Sequence, residues 1–242
     1  MRHFGIIGYP LSHSFSPSWF NEKFRKEGVN AEYSAYPLDD ISEFPALVAD
    51  IRFSGINVTI PYKQKIIPYL DELDASARAV GAVNVIRFSD GRMTGHNSDV
   101  YGFKKSLMDF IGEAVVSKAL VLGTGGSSMA VIVALAELGI LYDRVSRDNA
   151  KGISYKDLTA TALKNYNLII NTTPLGMYPH TNSKPPIPYE ALDENYFLFD
   201  LIYNPENTLF LSEGLMRGCK VKNGLQMLIF QAEKAWEIWN KP

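Results

Sequence analysis

A glycine cluster between positions 123 and 126 lies in a sequence context that suits a nucleotide phosphate. The apolar run Ala119–Leu122 precedes it and is typical of a buried parallel strand, while the helix-forming residues that follow run to Gly139, a typical helix terminator. A phosphate approaches the backbone closely only where no Cβ intervenes, and the first amides of a helix attract it. The stretch therefore predicts a dinucleotide site, with Ser128 as the third small residue of the glycine pattern. An ordinary tight turn is the alternative.

Two serines near the N-terminus could bind an anion. Phe4–Gly8 predicts a buried strand, and Pro17 suits the first turn of a helix that extends to about Glu27. Ser14 and Ser16 precede this helix, and Ser16 is expected near its N-cap. Hydroxyls and free helix amides converge at such a point and can hold an anionic group. A simple capping serine with solvated neighbours is the alternative.

Lys63 follows a predicted strand that contains polar side chains. Residues 56–60 alternate apolar and polar side chains, which predicts a strand with Asn57 and Thr59 on one face. Pro61 ends this strand, and Lys63 is expected at its carboxyl end, where the next helix should begin. Ligands of open α/β sheets bind beyond the carboxyl ends of strands, so Lys63 is a candidate site residue rather than only a solvated lysine.

Asn84 and Asp99 are two further candidates. Asn84 lies within the strand predicted over Gly81–Phe88, and an apolar core tolerates an amide only when it has a hydrogen-bond partner. The turn at 89–91 predicts a hairpin. Asp99 precedes a predicted helix over Val100–Phe110, where it is either an N-cap or a functional carboxylate.

The C-terminal half predicts a shortened nucleotide fold. Strands are expected over Leu141–Ser146 and Gly152–Tyr155, and the gap between them is too short for a crossover helix of ~10 residues or more. Arg147 at the end of the first strand favours the 2′-phosphate of NADP, whereas Asp148 favours the ribose hydroxyl of NAD. From these residues alone the cofactor stays open.

The remaining elements complete an α/β pattern. Strands are predicted over Asn167–Asn171 and Tyr196–Leu201, and helices over 208–217 and Leu225–Trp239. Strands that alternate with helices are typical of mainly parallel sheets. Gln231 interrupts the apolar face of the last helix and is a possible ligand contact.

Composition excludes several classes of protein. The chain has 242 residues, 46% hydrophobic, and a net charge of −2, so nothing electrostatic favours nucleic acid or a membrane surface as a partner. No apolar run approaches the ~18 residues that span a bilayer, and the single Cys219 suits a reducing compartment. Because an apolar run already begins at Phe4, we expect no signal peptide. We therefore expect a cytoplasmic enzyme, a monomer or homodimer, with no metal site, because no Cys/His ligand cluster occurs.

Taken together, these segments resemble the shikimate dehydrogenase family over nearly the whole chain. The motifs in order are Ser-His-Ser-Phe-Ser-Pro at 12–17, Asn-Val-Thr-Ile-Pro-Tyr-Lys at 57–63, Gly-Ala-Val-Asn at 81–84, Asn-Ser-Asp at 97–99, the glycine loop at 123–128, Asn-Thr-Thr-Pro-Leu-Gly-Met at 171–177, Tyr203, and Asn-Gly-Leu at 223–225. Each motif is weak alone, but eight in the right order are specific.

The resemblance implies a reaction and a role for each matching residue. It implies reversible NADPH-dependent reduction of 3-dehydroshikimate to shikimate, with Lys63 and Asp99 as the catalytic residues. The substrate contacts it implies are Ser14, Ser16 and Tyr203 at the carboxylate, and Thr59, Asn84 and Gln231 around the ring hydroxyls and carbonyl. The cofactor contacts it implies are Gly123, Thr124, Gly125, Gly126, Ser127, Ser146, Arg147, Thr172, Leu201 and Gly224.

The resemblance also implies two domains with the active site in the cleft between them. Residues 1–99 with 223–242 would form a mainly parallel α/β substrate domain, and residues 100–222 an abbreviated Rossmann-type NADP-binding domain. Closure of the cleft would exclude water.

The chain departs from the family pattern at the cofactor site. Asp148 replaces a common threonine, Met129 replaces a common arginine, and the segment after Arg147 is short. The alternatives are therefore a quinate/shikimate dehydrogenase that uses NAD, and a non-catalytic ligand-binding homologue. Ser14, where a bulkier threonine would favour quinate, indicates shikimate, and the presence of both Lys63 and Asp99 argues against a sensor.

Overall fold

The computed structural model describes residues 1–11 and 14–241. The chain divides into two compact units. The first unit comprises the chain from Met1 to Ser98 and from Ala232 onward, and the second comprises Asp99–Gln231. The first boundary lies one residue from the predicted one, and the second lies within the last helix, nine residues after the predicted return at Asn223. The assignment of a substrate role and a nucleotide role to these parts stays a prediction.

The first unit contains a mixed sheet. Its elements are β1 (Arg2–Gly8), α1 (Ser16–Glu27), β2 (Ala31–Pro37), α2 (Phe44–Asp50), β3 (Phe53–Val58), β4 (Glu72–Leu73), α3 (Ala75–Val80), β5 (Val85–Ser89) and β6 (Arg92–His96), with one-turn 3-10 helices at Ile41–Glu43 and Ile67–Tyr69. The strand order is β2-β1-β3-β5-β6-β4. β1 pairs in parallel with β2 and β3, whereas β5 pairs antiparallel with β3 and forms the predicted hairpin with β6.

The second unit contains a parallel sheet. Its elements are α4 (Asp99–Ile111), β7 (Ala119–Leu122), α5 (Gly126–Glu137), β8 (Tyr142–Ser146), β9 (Ile153–Ser154), α6 (Ala160–Leu163), β10 (Leu168–Asn171), β11 (Phe197–Asp200), α7 (Leu209–Leu215) and β12 (Lys220–Lys222), with 3-10 turns at Asn149–Lys151 and Tyr189–Ala191. The last helix, α8 (Leu225–Trp239), begins in this unit and ends in the first.

The strand order of the second sheet is β12-β11-β10-β7-β8-β9, and every pair in it is parallel. This is the doubly wound order of a nucleotide-binding fold, in which the direction of winding reverses between the first and fourth strands, here β7 and β10. Between β8 and β9 the chain makes only a 3-10 turn, as the short spacing predicts. The predicted α/β class with an abbreviated Rossmann-type unit is confirmed.

An aromatic cluster packs on one face of the first sheet and brings the end of the chain onto it. One face carries an aromatic cluster that joins α1, β1, β2 and the end of α8, with Phe4, Phe20, Phe24, Tyr33 and Trp239 in it. The Trp239 indole donates to the Ile86 carbonyl over 3.0 Å, which satisfies its one polar atom inside the core. The C-terminal end of α8 is therefore part of the core of the first unit, although it lies far away in sequence.

Local predictions fail where tertiary contacts override the sequence pattern. Lys63 does not begin an α-helix: residues 60–66 form turns, and a one-turn 3-10 helix follows. The strand predicted over Gly81–Phe88 begins only at Val85, because Gly81 ends α3 in the left-handed conformation with φ 68°. Ser16 is the first helical residue rather than the N-cap, a position that Phe15 occupies.

Candidate active site

In the first unit, the predicted polar residues gather at the carboxyl ends of β1 and β3. Thr59 follows β3 directly, and its amide donates to the Ile7 carbonyl over 2.9 Å. A Cβ on Gly8 would lie 2.4 Å from the Thr59 methyl group, so only glycine lets the two strand ends approach this closely. Thr59 is therefore held against the end of β1 by one backbone hydrogen bond and by the close packing of its methyl group on Gly8.

Lys63 lies on the turn that follows and is half-buried. Its carbonyl accepts from the Val83 amide over 2.7 Å, which ties the turn to the segment that leads into β5. Lys63 and Asn84 are thus connected through one backbone hydrogen bond and one peptide unit. The structure brings these two predicted residues together in one region of the first unit.

Asn84 has the partner that its burial requires. Its side-chain Oδ1 accepts from the Ser98 amide over 2.7 Å, and its Nδ2 donates to the Ser98 hydroxyl over 3.0 Å. Its backbone amide donates to the His96 carbonyl over 3.0 Å, and its carbonyl accepts from the Val58 amide over 2.9 Å. Because Asn84 and Ser98 are both buried, the end of β6 is locked to the start of β5 immediately before Asp99.

The two N-terminal serines differ in environment. Ser14 is half-buried, and its amide donates to the Leu11 carbonyl over 3.1 Å. Ser16 is buried. The nearby Tyr33 phenol donates to Asn57 Oδ1 over 2.7 Å, and its pKa lies well above its usual range because the ring is buried. Two members of the predicted 12–17 motif, Ser12 and His13, and the last residue of the predicted substrate domain, Pro242, lie outside the described residues.

The other predicted residues of this set belong to the second unit. Asp99 is buried at the first position of α4. Gln231 is buried on α8, and its Nε2 donates to the Leu228 carbonyl over 2.9 Å. Tyr203 follows β11 and is half-buried, and this burial raises the pKa of its phenol. Their roles at a substrate stay predictions.

The glycine turn of the second unit is built as a phosphate site requires. Gly125 is the N-cap of α5 and makes no side-chain capping bond, and both Gly125 and Gly126 are exposed. A Cβ on either glycine would meet nothing within 4 Å, and neither has a positive φ. Packing therefore does not explain why these positions lack side chains, whereas close approach by a ligand does. Ser127 occupies the next position of the same first turn, and buried Ser128 donates to the Gly125 carbonyl over 2.6 Å.

Gly123 and Gly224 have structural reasons to be glycine. Gly123 has φ 109°, and its Cβ would lie 2.8 Å from the Thr172 hydroxyl, which itself donates to the Leu122 carbonyl over 2.7 Å. A Cβ on Gly224 would lie 2.0 Å from the Leu201 carbonyl oxygen. The structure thus joins Gly123 with the Thr172 side chain, and Gly224 with the Leu201 backbone, in two close contacts.

The end of β8 carries the residues that would distinguish NADP from NAD. The Ser146 hydroxyl lies 3.4 Å from the Thr124 hydroxyl and accepts from the Asp148 amide over 3.0 Å. Asp148 caps the following 3-10 turn at the Ala150 amide over 3.1 Å, and its carboxylate lies 3.6 Å from the Lys151 ammonium. Arg147, between Ser146 and Asp148, is exposed. Opposite charges therefore meet at this turn.

Sequence reasoning missed a buried carboxylate at the end of β11. Asp200, at the end of β11, accepts from the Asn171 amide side chain over 3.0 Å, from the Thr208 hydroxyl over 2.7 Å and from the Ile202 amide over 3.1 Å. Complete burial raises the pKa of Asp200 to about 6. Asn171 in turn accepts from the Thr173 amide and hydroxyl over 3.0 and 2.6 Å. The cluster therefore fixes the loops after β10 and β11, and an acidic residue closing an apolar strand was the signal available.

Comparison with known proteins identifies the family. The model of the shikimate dehydrogenase substrate binding domain matches residues 6–86. A curated relative from Methanococcus maripaludis (strain C7), named shikimate dehydrogenase (NADP(+)), is 37% identical over 97% of this chain and 90% of its own length. The chain belongs to the shikimate dehydrogenase family.

Further shikimate dehydrogenases agree with this membership. The relative from Carboxydothermus hydrogenoformans, also named shikimate dehydrogenase (NADP(+)), is 38% identical over 97% of this chain and 90% of its own length. The crystal structure of the shikimate 5-dehydrogenase of Thermus thermophilus, in complex with NADP(H) and shikimate, superposes with a TM-score of 0.88 at 29% identity, over 99% of this chain and 94% of that one. The family predicted from the ordered motifs is confirmed.

Membrane-spanning helices and metal-binding clusters are both absent from the part of the chain that the structure describes. No helix there combines the length and apolar character needed to cross a bilayer. Within the same residues, no group of three or more histidine, cysteine, aspartate or glutamate side chains is arranged to hold a metal ion.

Proposed function

We propose that the chain catalyses the reversible NADPH-dependent reduction of 3-dehydroshikimate to shikimate. The observation that carries this proposal is the 37% identity, over 97% of the chain, with a relative named shikimate dehydrogenase (NADP(+)). The doubly wound second unit supports it, since that strand order suits a nucleotide.

The glycine turn fits the cofactor by its shape. The first amides of α5 lack the usual partners four residues earlier, although the Ser128 amide donates to the Gly125 carbonyl over 3.0 Å. Gly125 and Gly126 leave the start of the helix accessible to a pyrophosphate. We assign Thr124, Ser127 and Ser146 to the rim of this site, Arg147 to the 2′-phosphate, and Thr172, Leu201 and Gly224 to the nicotinamide end. When bound, NADPH supplies the hydride that the carbonyl carbon accepts.

We assign Lys63 to supply positive charge and a proton to the carbonyl oxygen of the substrate. As hydride reaches the carbon, negative charge develops on that oxygen, and a positioned ammonium both stabilises the charge and carries a proton to it. We assign Asp99 to the orientation of this ammonium. The half-buried position of Lys63 on a turn held by the Val83 amide suits such a role, because the backbone below the side chain is fixed.

The remaining predicted residues would orient the substrate. Hydroxyls suit a carboxylate because they donate to it without adding charge, and we assign Ser14, Ser16 and Tyr203 to this group. We assign Thr59, Asn84 and Gln231 to the ring hydroxyls and the carbonyl, since hydroxyl and amide groups can both donate and accept. Buried polar groups of this kind reject a ligand that leaves them unpaired.

A steady-state assay tests the function. The purified chain is incubated with shikimate and NADP, with shikimate and NAD, and with quinate and each nucleotide, and reduced nicotinamide is followed by absorbance. We expect the largest kcat/KM with shikimate and NADP. Faster turnover of quinate with NAD would contradict the proposal, and no turnover in any arm, despite bound shikimate, would indicate a ligand-binding homologue.

We further propose that the enzyme works in the cytoplasm as a monomer or homodimer. The single Cys219 supports the reducing compartment, and burial raises the pKa of its thiol to about 11, which keeps the thiol protonated and unreactive. Light scattering of the purified protein measures the assembly state, and a mass above that of a dimer would contradict the proposal.

A further inference from the structure

One buried carboxylate oxygen holds two loops of the second unit. Asp200 Oδ1 accepts from the Asn171 side-chain amide over 3.0 Å and from the Ile202 backbone amide over 3.1 Å. The other oxygen, Oδ2, accepts from the Thr208 hydroxyl over 2.7 Å. Asn171 and Asp200 are completely buried. The two oxygens therefore bind different elements: Oδ1 ties the ends of β10 and β11 together, and Oδ2 binds the N-cap of α7.

The loop after β10 depends on the orientation of the Asn171 amide. A carboxylate only accepts, so the NH₂ group of Asn171 faces Asp200 and its Oδ1 atom faces the loop. This Oδ1 atom accepts from the Thr173 amide over 3.0 Å and from the Thr173 hydroxyl over 2.6 Å. Thr172 lies between these two residues, and its own amide and hydroxyl donate to the Leu122 carbonyl over 3.0 and 2.7 Å. The place of Thr172 is thus set from both sides.

The loop after β11 is held by the same Asp200 oxygen. Leu201 lies between Asp200 and Ile202, and its amide donates to the Asn171 carbonyl over 3.0 Å. The Ile202 carbonyl accepts from the Gly224 amide over 3.0 Å. A Cβ on Gly224 would lie 2.0 Å from the Leu201 carbonyl oxygen, so these two backbones are in close contact. A shift of the Ile202 amide would therefore move both Leu201 and Gly224.

We propose that Asp200 is a positioning residue for the nicotinamide end of the cofactor: it sets the places of Thr172, Leu201 and Gly224 relative to one another. The inference rests on the proposed function, which assigns these three residues to that end. Asp200 is completely buried and acts only through its neighbours. Hydride transfer requires a ring held at the right distance and angle, so the loops around the ring must be fixed. The phosphates are assigned to the glycine turn, which follows another strand, β7.

A comparison of two ligands tests this role. NADP is compared with 2′-phospho-ADP-ribose, which lacks the nicotinamide ring, and both dissociation constants are measured by calorimetry. Asp200→Ala removes the shared acceptor of the Asn171 and Ile202 donors. We expect it to raise the dissociation constant of NADP about tenfold and that of the fragment less than about twofold. The kcat with shikimate at saturating NADP should fall more than about tenfold, because the ring is misaligned.

Thr208→Val is the matched control. It removes a hydrogen bond to the same buried carboxylate, but to Oδ2, and it removes the cap of α7 at the Leu211 amide. We expect a lower thermal midpoint, because a cap is lost, with both dissociation constants within about twofold of wild type. A loss of NADP affinity in Thr208→Val as large as that in Asp200→Ala would show that the affinity follows general stability, and would overturn the proposal.

Asp200→Asn is the conservative variant. Its side-chain oxygen can keep both bonds of Oδ1, while its NH₂ group faces the Thr208 hydroxyl, which can accept. We expect NADP affinity within about threefold of wild type. If Asp200→Ala does not fold, Thr173→Val replaces it, because this half-buried hydroxyl holds the same loop through Asn171. It should weaken NADP binding about threefold and leave fragment binding unchanged.

The outcomes separate this inference from the proposed function. Equal changes for NADP and the fragment, in Asp200→Ala or in the Thr173→Val that replaces it, would overturn the positioning role. If the wild-type protein binds NADP but does not turn over shikimate, the proposed reaction is wrong, and the two dissociation constants still decide the role of Asp200. If it binds only NAD, the same comparison is made between NAD and ADP-ribose. If it binds neither nucleotide, both proposals are wrong.

Discussion

The two candidate sites of this protein are built from different parts of the chain. In the first unit, polar side chains such as Asn84 and Ser98 are buried and hydrogen-bond each other. In the second unit, the site is a turn of exposed backbone at Gly125 and Gly126 with no side chains to offer. A side-chain site recognises one small molecule by its individual groups, whereas a backbone site recognises a phosphate that many cofactors share.

This difference predicts which property of the protein a substitution in each site should change. Substitution in the first unit removes a specific atom from a connected network, so one change should affect chemistry or substrate binding strongly. Substitution at the glycine turn adds an atom where a ligand approaches, so it should affect cofactor affinity while leaving the fold intact. The following experiments test this contrast, from the largest expected effect to the smallest.

Lys63→Ala should have the largest effect. We expect kcat to fall by about 100-fold to 10,000-fold, the usual range for an acid–base group, with the thermal midpoint nearly unchanged because the side chain is half-buried on a turn. Lys65→Ala, two residues later and exposed, is the matched control and should keep full activity. Activity of Lys63→Ala within a few-fold of wild type would remove Lys63 from the catalytic residues.

Asp200 should make the stability of the second unit depend on pH. Its pKa is about 6 in the folded protein, because of burial, against 3.8 for an ordinary carboxyl. Since the folded value is the higher, the stabilising contribution is fully present below about pH 4 and is lost as the pH rises through about 6. The loss amounts to at most about 3 kcal/mol in the free energy of unfolding.

Urea unfolding between about pH 4 and 7 measures this effect. In Asp200→Asn the part of the slope due to this carboxyl should disappear, while Asp157→Asn, exposed in the same unit, should retain it. An unchanged slope in Asp200→Asn would show that Asp200 titrates as an ordinary carboxyl.

Gly125→Ala should weaken cofactor binding without destabilising the protein. A methyl group there meets no protein atom within 4 Å but would stand between the α5 amides and a phosphate, so we expect the KM for NADP to rise about tenfold. Gly224→Ala is the contrasting variant, since its Cβ would lie 2.0 Å from the Leu201 carbonyl oxygen and should lower the thermal midpoint. If Gly125→Ala lowered the thermal midpoint and left the KM for NADP unchanged, Gly125 would be required for the fold and not for cofactor binding.

Asp148→Asn should have the smallest effect, at the edge of the backbone site. Its carboxylate lies 3.6 Å from the Lys151 ammonium and beside Arg147, so it opposes a 2′-phosphate, but it is exposed and therefore screened. We expect the ratio of kcat/KM for NADP to that for NAD to rise about threefold, while Arg147→Ala should lower it. A ratio that falls in Asp148→Asn would show that the carboxylate assists NADP binding through Lys151.

The sequence by itself determined the α/β class, the positions of most strands, the short gap after β8 and the family. It could do so because apolar runs, glycine turns and ordered motifs are local and survive without knowledge of their neighbours. It also marked Asn84 as an amide in need of a partner.

Only the tertiary structure decided which groups the buried polar side chains hydrogen-bond. Tyr33 looks like an ordinary strand residue, and the hydrogen bond from its phenol to Asn57 exists because the fold brings two separate strands, β2 and β3, within reach of each other. Asp200 acquires its raised pKa from burial beneath two loops, which no local pattern records. Hydrogen bonds between side chains depend on distances across the fold, whereas a glycine turn depends only on its own backbone, and this is why a sequence can indicate such a turn but not the partners of a buried side chain.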